Sequence, residues 1–276
     1  MNAAMARSQG GGGSFFAYAM TYLGFLYAPM ALLVLFSFND SLFIAFPLSG
    51  FTGRWYTEVA VDQAMHTALW NTLKVGSAAS LISTVLGLLA AKALVRGALP
   101  GRAVLIGVTS LSLFIPDIVL GIALLILMTT VGIPLSLLSV ASGHVLICLP
   151  FALAVLMSRL EGFDGTLEEA SRDLGESGWM TFWRVTFPLV LPSIVASLLL
   201  TFIVSFDEFL VAFFLCGTDT TLPVYIWGEL RFPNRLPGVL ALGSAILMGS
   251  AALVVLAEWI RRLGTQGAGR DRVAGL

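Results

Sequence analysis

Six long runs of apolar residues dominate the hydropathy pattern of the chain. A run must hold roughly 20 helical residues to cross a hydrocarbon core of about 30 Å, and in lipid it must be helical, because a helix satisfies every backbone group within the segment. The runs are Phe15–Phe38, Leu69–Leu94, Ala103–Thr130, Pro134–Met157, Leu189–Cys216 and Val239–Ile260. They are continuous rather than alternating, unlike barrel strands. The pattern predicts an all-α membrane protein with about six transmembrane helices.

The basic residues between these runs predict an orientation, because Lys and Arg concentrate in cytoplasmic loops. With the N-terminus inside, the cytoplasmic segments hold Arg7, Lys92, Arg96, Arg102, Arg159, Arg172, Arg184, Arg261, Arg262, Arg270 and Arg272. The opposite side holds Arg54, Arg231 and Arg235, and Lys74 falls inside the second run. We therefore expect both termini in the cytoplasm. Residues 1–14 and 263–276 are interpreted as cytoplasmic tails, 15–262 as the membrane domain, and 158–188 as its one long inner loop.

Composition excludes several classes of protein. The chain is 58% hydrophobic and 11% charged, with a mean hydropathy of +0.93, whereas soluble proteins are roughly 45–50% apolar and about 25% charged. A net charge of −1 argues against a nucleic-acid surface. Cys148 and Cys216 lie in apolar runs, and His66 and His144 are far apart, so no metal site is predicted. His144, in an uncharged span, is interpreted as an interhelical hydrogen-bonding residue.

The inner loop has the pattern of a helix-turn-helix. Thr166 followed by Glu169 fits a capping box that begins a short helix, and Gly175 suits its end because glycine tolerates the left-handed conformation. Ser177 could cap a second helix that leads into the next span. The exposed side is acidic, with Glu168, Glu169, Asp173 and Glu176. A membrane-surface helix would be basic instead, so this loop predicts a protein partner.

The same loop resembles the EAA loop of type I ABC importer permeases. That motif is Glu-Ala-Ala, three residues, Gly, nine residues, then Ile-x-Leu-Pro; here it reads Glu169-Ala170-Ser171, Gly175 and Val185-Thr186-Phe187-Pro188, with the spacing kept. Ser171, Val185 and Phe187 depart mildly from it. The resemblance implies the type I importer permease fold, with this loop as the coupling helix that enters a groove of the ATPase. On that basis the expected coupling residues are Glu168, Glu169, Ala170, Ser171, Asp173, Gly175 and Pro188.

The chain carries no sign of an ATP site of its own. A phosphate-binding loop needs G-x-x-x-x-G-K-[ST], and neither Lys74 nor Lys92 follows that pattern. We expect no catalytic residue, no metal and no cofactor in this chain, and ATP and Mg on a partner. The resemblance implies two copies of an ATP-binding subunit, a second permease subunit that is a related chain or a second copy, a periplasmic substrate-binding protein, and a place in the bacterial inner membrane.

Further motifs are similar to the polyamine (spermidine/putrescine) branch of these permeases. They are Ser37-Phe38-Asn39, Ile115-Pro116-Asp117-Ile118-Val119, Ser205-Phe206-Asp207-Glu208-Phe209 and the segment from Gly217 to Thr221-Leu222-Pro223. The resemblance implies import of a polyamine. The charge of the residues in the spans agrees with a cationic substrate. A carboxylate inside a membrane is costly unless it faces a watery path or a partner, and such acids would attract a cation.

The expected path residues are Asp117, Asp207 and Glu208, with Trp227 and Tyr225 near the outer mouth. On a continuous helix Asp207 and Glu208 would point about 100° apart, and we expect Asp207 to face the path. Alternatives remain for each: one acid could pair with Lys74, and Asp117 could cap a helix broken at Pro116. The aromatic residues could hold an alkylammonium group or anchor the chain at the interface.

Three other functions fit parts of the sequence. The same ABC class could import an opine, an amino acid or an aminophosphonate, although such zwitterions would want a basic group near the path. A proton-coupled secondary transporter could use Asp117 or Asp207 as a relay, which leaves the acidic loop unexplained. An intramembrane enzyme would need a convergent catalytic constellation, and none is evident.

Overall fold

The computed structural model describes residues 11–97 and 101–252, where the elements are helices and an isolated β-bridge between Asn39 and Phe51. The α-helices are α1 (Gly11–Ser37), α2 (Arg54–Ala60), α3 (Gln63–Arg96), α4 (Arg102–Ser110), α5 (Asp117–Val131), α6 (Leu137–Glu161), α7 (Thr166–Asp173), α8 (Gly178–Thr181), α9 (Phe187–Asp207), α10 (Leu210–Leu215) and α11 (Leu222–Glu229), and a further α-helix is described over 236–252. Short 3-10 turns occupy Leu111–Leu113 and Pro233–Arg235, and a π-helical turn, Phe182–Thr186, joins α8 to α9.

Five stretches of the described chain are long and apolar enough to cross a membrane. They are Phe15–Ser37, Gln63–Arg96, Leu137–Glu161, Gly178–Asp207 and Pro233–Ala252. A sixth is obtained when Arg102–Leu113 and Asp117–Val131, which are bent by 101°, count as one span. The predicted all-α membrane fold with about six spans is therefore confirmed.

Two of the predicted spans are not single helices. The third breaks before Pro116, because proline lacks a backbone N–H and disfavours helix in the residue before it. The fifth ends at Asp207, and α10 begins anew at Leu210. At the other end of the chain, α1 is described from Gly11 onward, inside the segment interpreted as a tail. Residues 1–10 and the predicted tail 263–276 lie outside the described residues.

The described residues divide into two compact units, 63–227 and the pair 11–62 with 228–252. The larger unit has two cores. One core is formed by Val75, Leu124, Val140, Ala141, Ile147, Val211, Ala212, Leu215, Cys216 and Val224, and the other by Ala91, Leu94, Leu153, Leu156, Leu160 and Val190. Both join α3 to α6, and the second also takes in the start of α9.

Small residues let these helices approach closely, as is common in membranes. A Cβ at Gly87 of α3 would lie 2.9 Å from the Cβ of Ala152 in α6. Thr84 and Ser197 join α3 to α9 through hydroxyl oxygens 3.0 Å apart. In the smaller unit, the Tyr56 hydroxyl lies 2.6 Å from Ser37 Oγ and donates to Ser244 Oγ at 3.1 Å.

Candidate functional site

The acidic loop forms a helical hairpin, α7 and α8 (166–181), which the π-helical turn Phe182–Thr186 joins to α9. The start of α7 differs from the predicted capping box. Thr166 is the first residue of the helix rather than its cap, and its backbone N–H donates to Asp164 Oδ1 at 3.0 Å. This hydrogen bond from Thr166 lowers the pKa of the exposed Asp164 carboxyl from its ordinary value.

The end of α7 is formed as predicted. Gly175 has a φ of +89°, which favours glycine. Its N–H donates to Arg172 O (2.9 Å), and the next N–H, of Glu176, donates to Ser171 O (3.2 Å). These two bonds are a Schellman motif. Ser177 caps α8 by accepting from the Met180 N–H at 3.3 Å. The hairpin is therefore closed at its turn by local hydrogen bonds.

The predicted coupling residues divide into exposed and inward-facing groups. Glu169, Ala170, Asp173 and Gly175 are exposed on the hairpin, and Pro188 is exposed at the start of α9. Ser171 is half-buried, and its Oγ lies 3.0 Å from Thr181 Oγ1, which joins the two helices of the hairpin.

Glu168 is buried, unlike its neighbours. Its Oε2 lies 3.2 Å from Arg96 Nε, and its Oε1 accepts a hydrogen bond from Thr186 Oγ1 at 2.5 Å. The Arg96 Nε–H is not aligned for a hydrogen bond, so the first contact is an ion pair. Arg96 and Thr186 were not predicted as site residues. Their sequence positions, at the end of one span and just before another, carry no signal that they meet.

A cavity of about 580 Å³ lies in the larger unit beside the two breaks in the spans. It is lined by Ser112, Leu113, Asp117, Ile147, Phe151, Val204, Asp207, Glu208, Phe209 and Leu210. All three acids predicted for the path therefore line one cavity. They meet there because the break before Pro116 places Asp117 at the start of α5, and α9 ends at Asp207. We call this space the acidic cavity.

Glu208 is held by neighbouring polar groups. Its two carboxylate oxygens accept from the backbone N–H groups of Val211 (2.9 Å) and Ala212 (3.0 Å), which satisfies the start of α10. His144 Nε2 lies 3.1 Å from Glu208 Oε2, and His144 Nδ1 lies 2.7 Å from Ser205 Oγ. His144 is thus an interhelical hydrogen-bonding residue, as expected. One of its two neighbours, Glu208, is a predicted path residue. The sequence feature that could have marked His144 as a site residue is its position as an ionisable residue in an apolar span.

Asp117 and Asp207 are exposed. Neither makes an ion pair or side-chain hydrogen bond within the described residues, and Lys74 is likewise without an ion pair there. The alternative in which Lys74 neutralises one of these acids is therefore absent from the described chain. Asp117 begins the helix after Pro116 without a side-chain capping bond. The cavity consequently presents two carboxylates to its interior without a counter-charge from the described residues.

Neither predicted aromatic residue is in the lining of the acidic cavity, and Trp227 lies beside it. The ring of Trp227 is 5.4 Å from that of Phe209, which does line the cavity. Trp227 is about half exposed and Tyr225 half-buried. Their roles as cation–π partners or interfacial anchors stay predictions.

The fold and these features define a class of protein: a helical membrane protein of several spans with an acidic cavity among them and an exposed hairpin before one span. The chain belongs to the family of binding-protein-dependent transport system inner membrane components, whose family model matches residues 83–263. It is thus a permease component of a multi-pass inner-membrane transport system, and the resemblance found in the loop is confirmed.

Several curated proteins are similar along most of the chain. The spermidine/putrescine transport system permease protein PotC of Shigella flexneri is 33% identical over 248 residues, which cover 90% of this chain and 93% of that protein. The putrescine transport system permease protein PotI of Escherichia coli K12 is 34% identical over 243 residues, 85% of each. PotC of Haemophilus influenzae is 33% identical over 247 residues, 89% of this chain and 95% of that protein.

A solved structure shares the fold. A bacterial ABC transporter involved in the import of the acidic polysaccharide alginate superposes with a TM-score of 0.71 over 93% of this chain and 97% of that chain, at 18% identity. At that identity the match bears on the fold alone.

Proposed function

We propose that the chain lines the translocation path of an ATP-driven importer for polyamines such as spermidine or putrescine. The acidic cavity is the observation that carries this proposal. Asp117 and Asp207 line it without a counter-charge from the described residues, and Glu208 adds a third carboxylate. Uncompensated carboxylates inside a membrane are costly, and an organic cation that enters would supply the missing positive charge. The relatives named for spermidine and putrescine support the same class of substrate.

The hairpin is the proposed link to the ATPase. Glu169 and Asp173 are exposed on it, so their carboxylates are free to form charge-assisted hydrogen bonds with basic residues of another subunit. The proposed complex contains two ATP-binding subunits that hold ATP and Mg, a second and related permease chain, and a periplasmic binding protein that delivers substrate. Both termini of this chain lie in the cytoplasm, as the distribution of basic residues indicates.

The test is the ATPase activity of the complex reconstituted with its ATPase, partner permease and binding protein. Polyamines and zwitterionic amino acids are compared at matched concentrations. We expect stimulation by spermidine or putrescine, and a weaker response when Asp207→Asn is introduced. Stimulation only by a zwitterion would overturn the assignment of a polyamine substrate, and failure to bind any ATPase would overturn the assignment as an ATP-driven importer.

A second arm separates the importer from a proton-coupled transporter. Uptake into proteoliposomes is measured with internal ATP and a protonophore, and again with a proton gradient and no ATP. Uptake under the first condition alone supports the proposal, and uptake under the second alone contradicts it.

A further inference from the structure

Glu168 differs from every other residue of α7, a helix that is described in full. It is the one buried residue of that helix, with 6% of its side chain exposed. Glu169, its neighbour with the same side chain, is exposed. A carboxylate loses hydration on burial and has to be compensated by specific partners. The partners of Glu168 therefore show what this position does.

Those partners come from two different membrane spans. Arg96, whose Nε is 3.2 Å from Glu168 Oε2, is the last residue of α3. Thr186, which donates to Glu168 Oε1 and is 1% exposed, ends the π-helical turn before α9. One carboxylate on the hairpin thus contacts the ends of two spans at once.

Arg96 holds the start of the hairpin at further points. Its Nη2 donates to Phe163 O at 3.0 Å, and its guanidinium lies 5.3 Å from the centroid of the Phe163 ring. A Cβ added at Gly165 would lie 3.1 Å from Arg96 Nη1, so the guanidinium also packs against the backbone just before α7. Arg96 remains charged at any ordinary pH, so the ion pair with Glu168 does not depend on protonation of the base.

We infer that Glu168 is a positioning residue that ties the hairpin to α3 and α9, rather than a contact to the ATPase. Its two oxygens are occupied within the chain, whereas Glu169 is exposed for an outside partner. The inference rests on the proposed function, because the movement in question is the one that an ATPase would impose on the hairpin. α9 has 21 residues, about 30 Å at the helical rise, and ends at Asp207 on the acidic cavity. A displacement of the hairpin is thereby transmitted along this helix to the cavity.

The first experiment tests the tie in the permease chain itself, in lipid nanodiscs without ATPase or substrate. Hydrogen–deuterium exchange is followed over 166–176 in wild type, Glu168→Gln and Glu169→Gln. Gln keeps the size of Glu and removes the charge in both variants. We expect exchange in Glu168→Gln to quicken about tenfold, within the range of local opening equilibria, and exchange in Glu169→Gln to stay within about twofold. Equal exchange in the two variants would overturn the inference that Glu168 holds the hairpin to α3 and α9, whatever the protein transports.

The second experiment measures coupling in the reconstituted complex with whichever solute stimulates its ATPase. Retention of the ATPase subunit and solute transported per ATP are measured for both variants. We expect Glu168→Gln to retain the ATPase and to transport about tenfold less per ATP, within the range of coupling between sites. Glu169→Gln should instead lose ATPase retention. Loss of retention in Glu168→Gln would place this residue on the subunit interface and overturn the inference.

A double variant separates positioning from folding. Glu168→Gln combined with Arg96→Gln leaves no charge buried without a partner, so the melting temperature should return toward that of wild type. Transport per ATP should stay low, because the ion pair is still missing. Recovery of transport together with melting temperature would mean that Glu168 acts only through stability.

Discussion

Two pairs of adjacent acids, Glu168–Glu169 in the hairpin and Asp207–Glu208 at the end of α9, share one arrangement. In each pair one carboxylate is buried, with 6% of the Glu168 and 8% of the Glu208 side chain exposed. The other acid, Glu169 or Asp207, is exposed. Each buried acid lies close to a basic side chain from a different helix, Arg96 at 3.2 Å or His144 at 3.1 Å. The buried member of each pair is thus bound within the chain, and the exposed member is free for a partner.

The two buried acids differ in what they connect. Besides the ion pair with Arg96, the Glu168 carboxylate accepts a hydrogen bond from the hydroxyl of Thr186, so these two side-chain contacts link separate elements. Glu208 accepts from the N–H groups of Val211 and Ala212, three and four residues ahead, so most of its contacts are local and begin α10. The contacts of Glu168 hold separate helices to one another, and those of Glu208 stabilise the break between α9 and α10. Neutralising either buried acid should therefore affect architecture before it affects binding.

The largest expected effect is on the hairpin side, where the base is a permanent cation. Arg96→Leu leaves the Glu168 carboxylate buried beside an apolar side chain, and breaking a buried ion pair in this way costs about 3–5 kcal/mol. Arg102→Leu is the control, because the Arg102–Glu161 pair is 46% exposed on both sides and should be worth about 0–1 kcal/mol. The free energy of unfolding in mixed micelles is the measurement. Equal losses in the two variants would contradict the importance given to burial.

A smaller loss is expected at the membrane break. Glu208→Ala removes the acceptor from the N–H groups of Val211 and Ala212, and each buried donor left unpaired costs roughly 1–3 kcal/mol. We expect a total of about 2–3 kcal/mol, near the lower end of the range for two unpaired donors. Asp207→Ala should cause no loss of stability, because it removes a carboxylate that has no partner in the described chain and that is costly inside a membrane. A greater loss at Asp207 than at Glu208 would reverse the assignment of the two acids.

Sequence patterns predicted the elements of this molecule better than their breaks. Apolar run length located the spans, since lipid permits few other conformations. The end of α9 at Asp207 was not predicted, because the run continues apolar to Cys216 and the break depends on the Glu208 carboxylate reaching two N–H groups ahead. The argument that Asp207 and Glu208 point about 100° apart assumed a continuous helix. In the structure both line the acidic cavity.

Contacts between distant positions were beyond sequence reasoning. Gly175 and Ser177 were predicted correctly because their roles are local, within one turn of chain. Glu168 was placed with the exposed coupling residues because nothing in its neighbours distinguishes it from Glu169. Its burial depends on Arg96, about 70 residues earlier. Similarly, His144 and Glu208 meet only through the packing of α6 against the break after α9.

The exposed member of the membrane pair is where an effect on binding is expected. Asp207→Asn removes one negative charge from the acidic cavity, and we expect the half-saturating polyamine concentration for ATPase stimulation to rise about tenfold, equivalent to about 1.4 kcal/mol. Asp219→Asn is the matched control, since Asp219 is an exposed acid of the same unit that does not line the cavity. A similar rise in both variants would attribute the effect to net charge rather than to the cavity.

The smallest expected effect concerns Asp164, an exposed acid beside the buried pair of the hairpin. Because the Thr166 N–H lowers the folded-state pKa of Asp164, its contribution to stability is present above the unfolded pKa of about 3.9 and is lost as pH falls through the lower, folded value. Asn also accepts such a bond at a helix start but does not titrate. The excess in melting temperature of wild type over Asp164→Asn should therefore shrink as pH falls from about 6 to about 3. An excess that grows on acidification would mean that Asp164 is stabilising in its protonated form, and that the start of α7 is held by something other than this carboxylate.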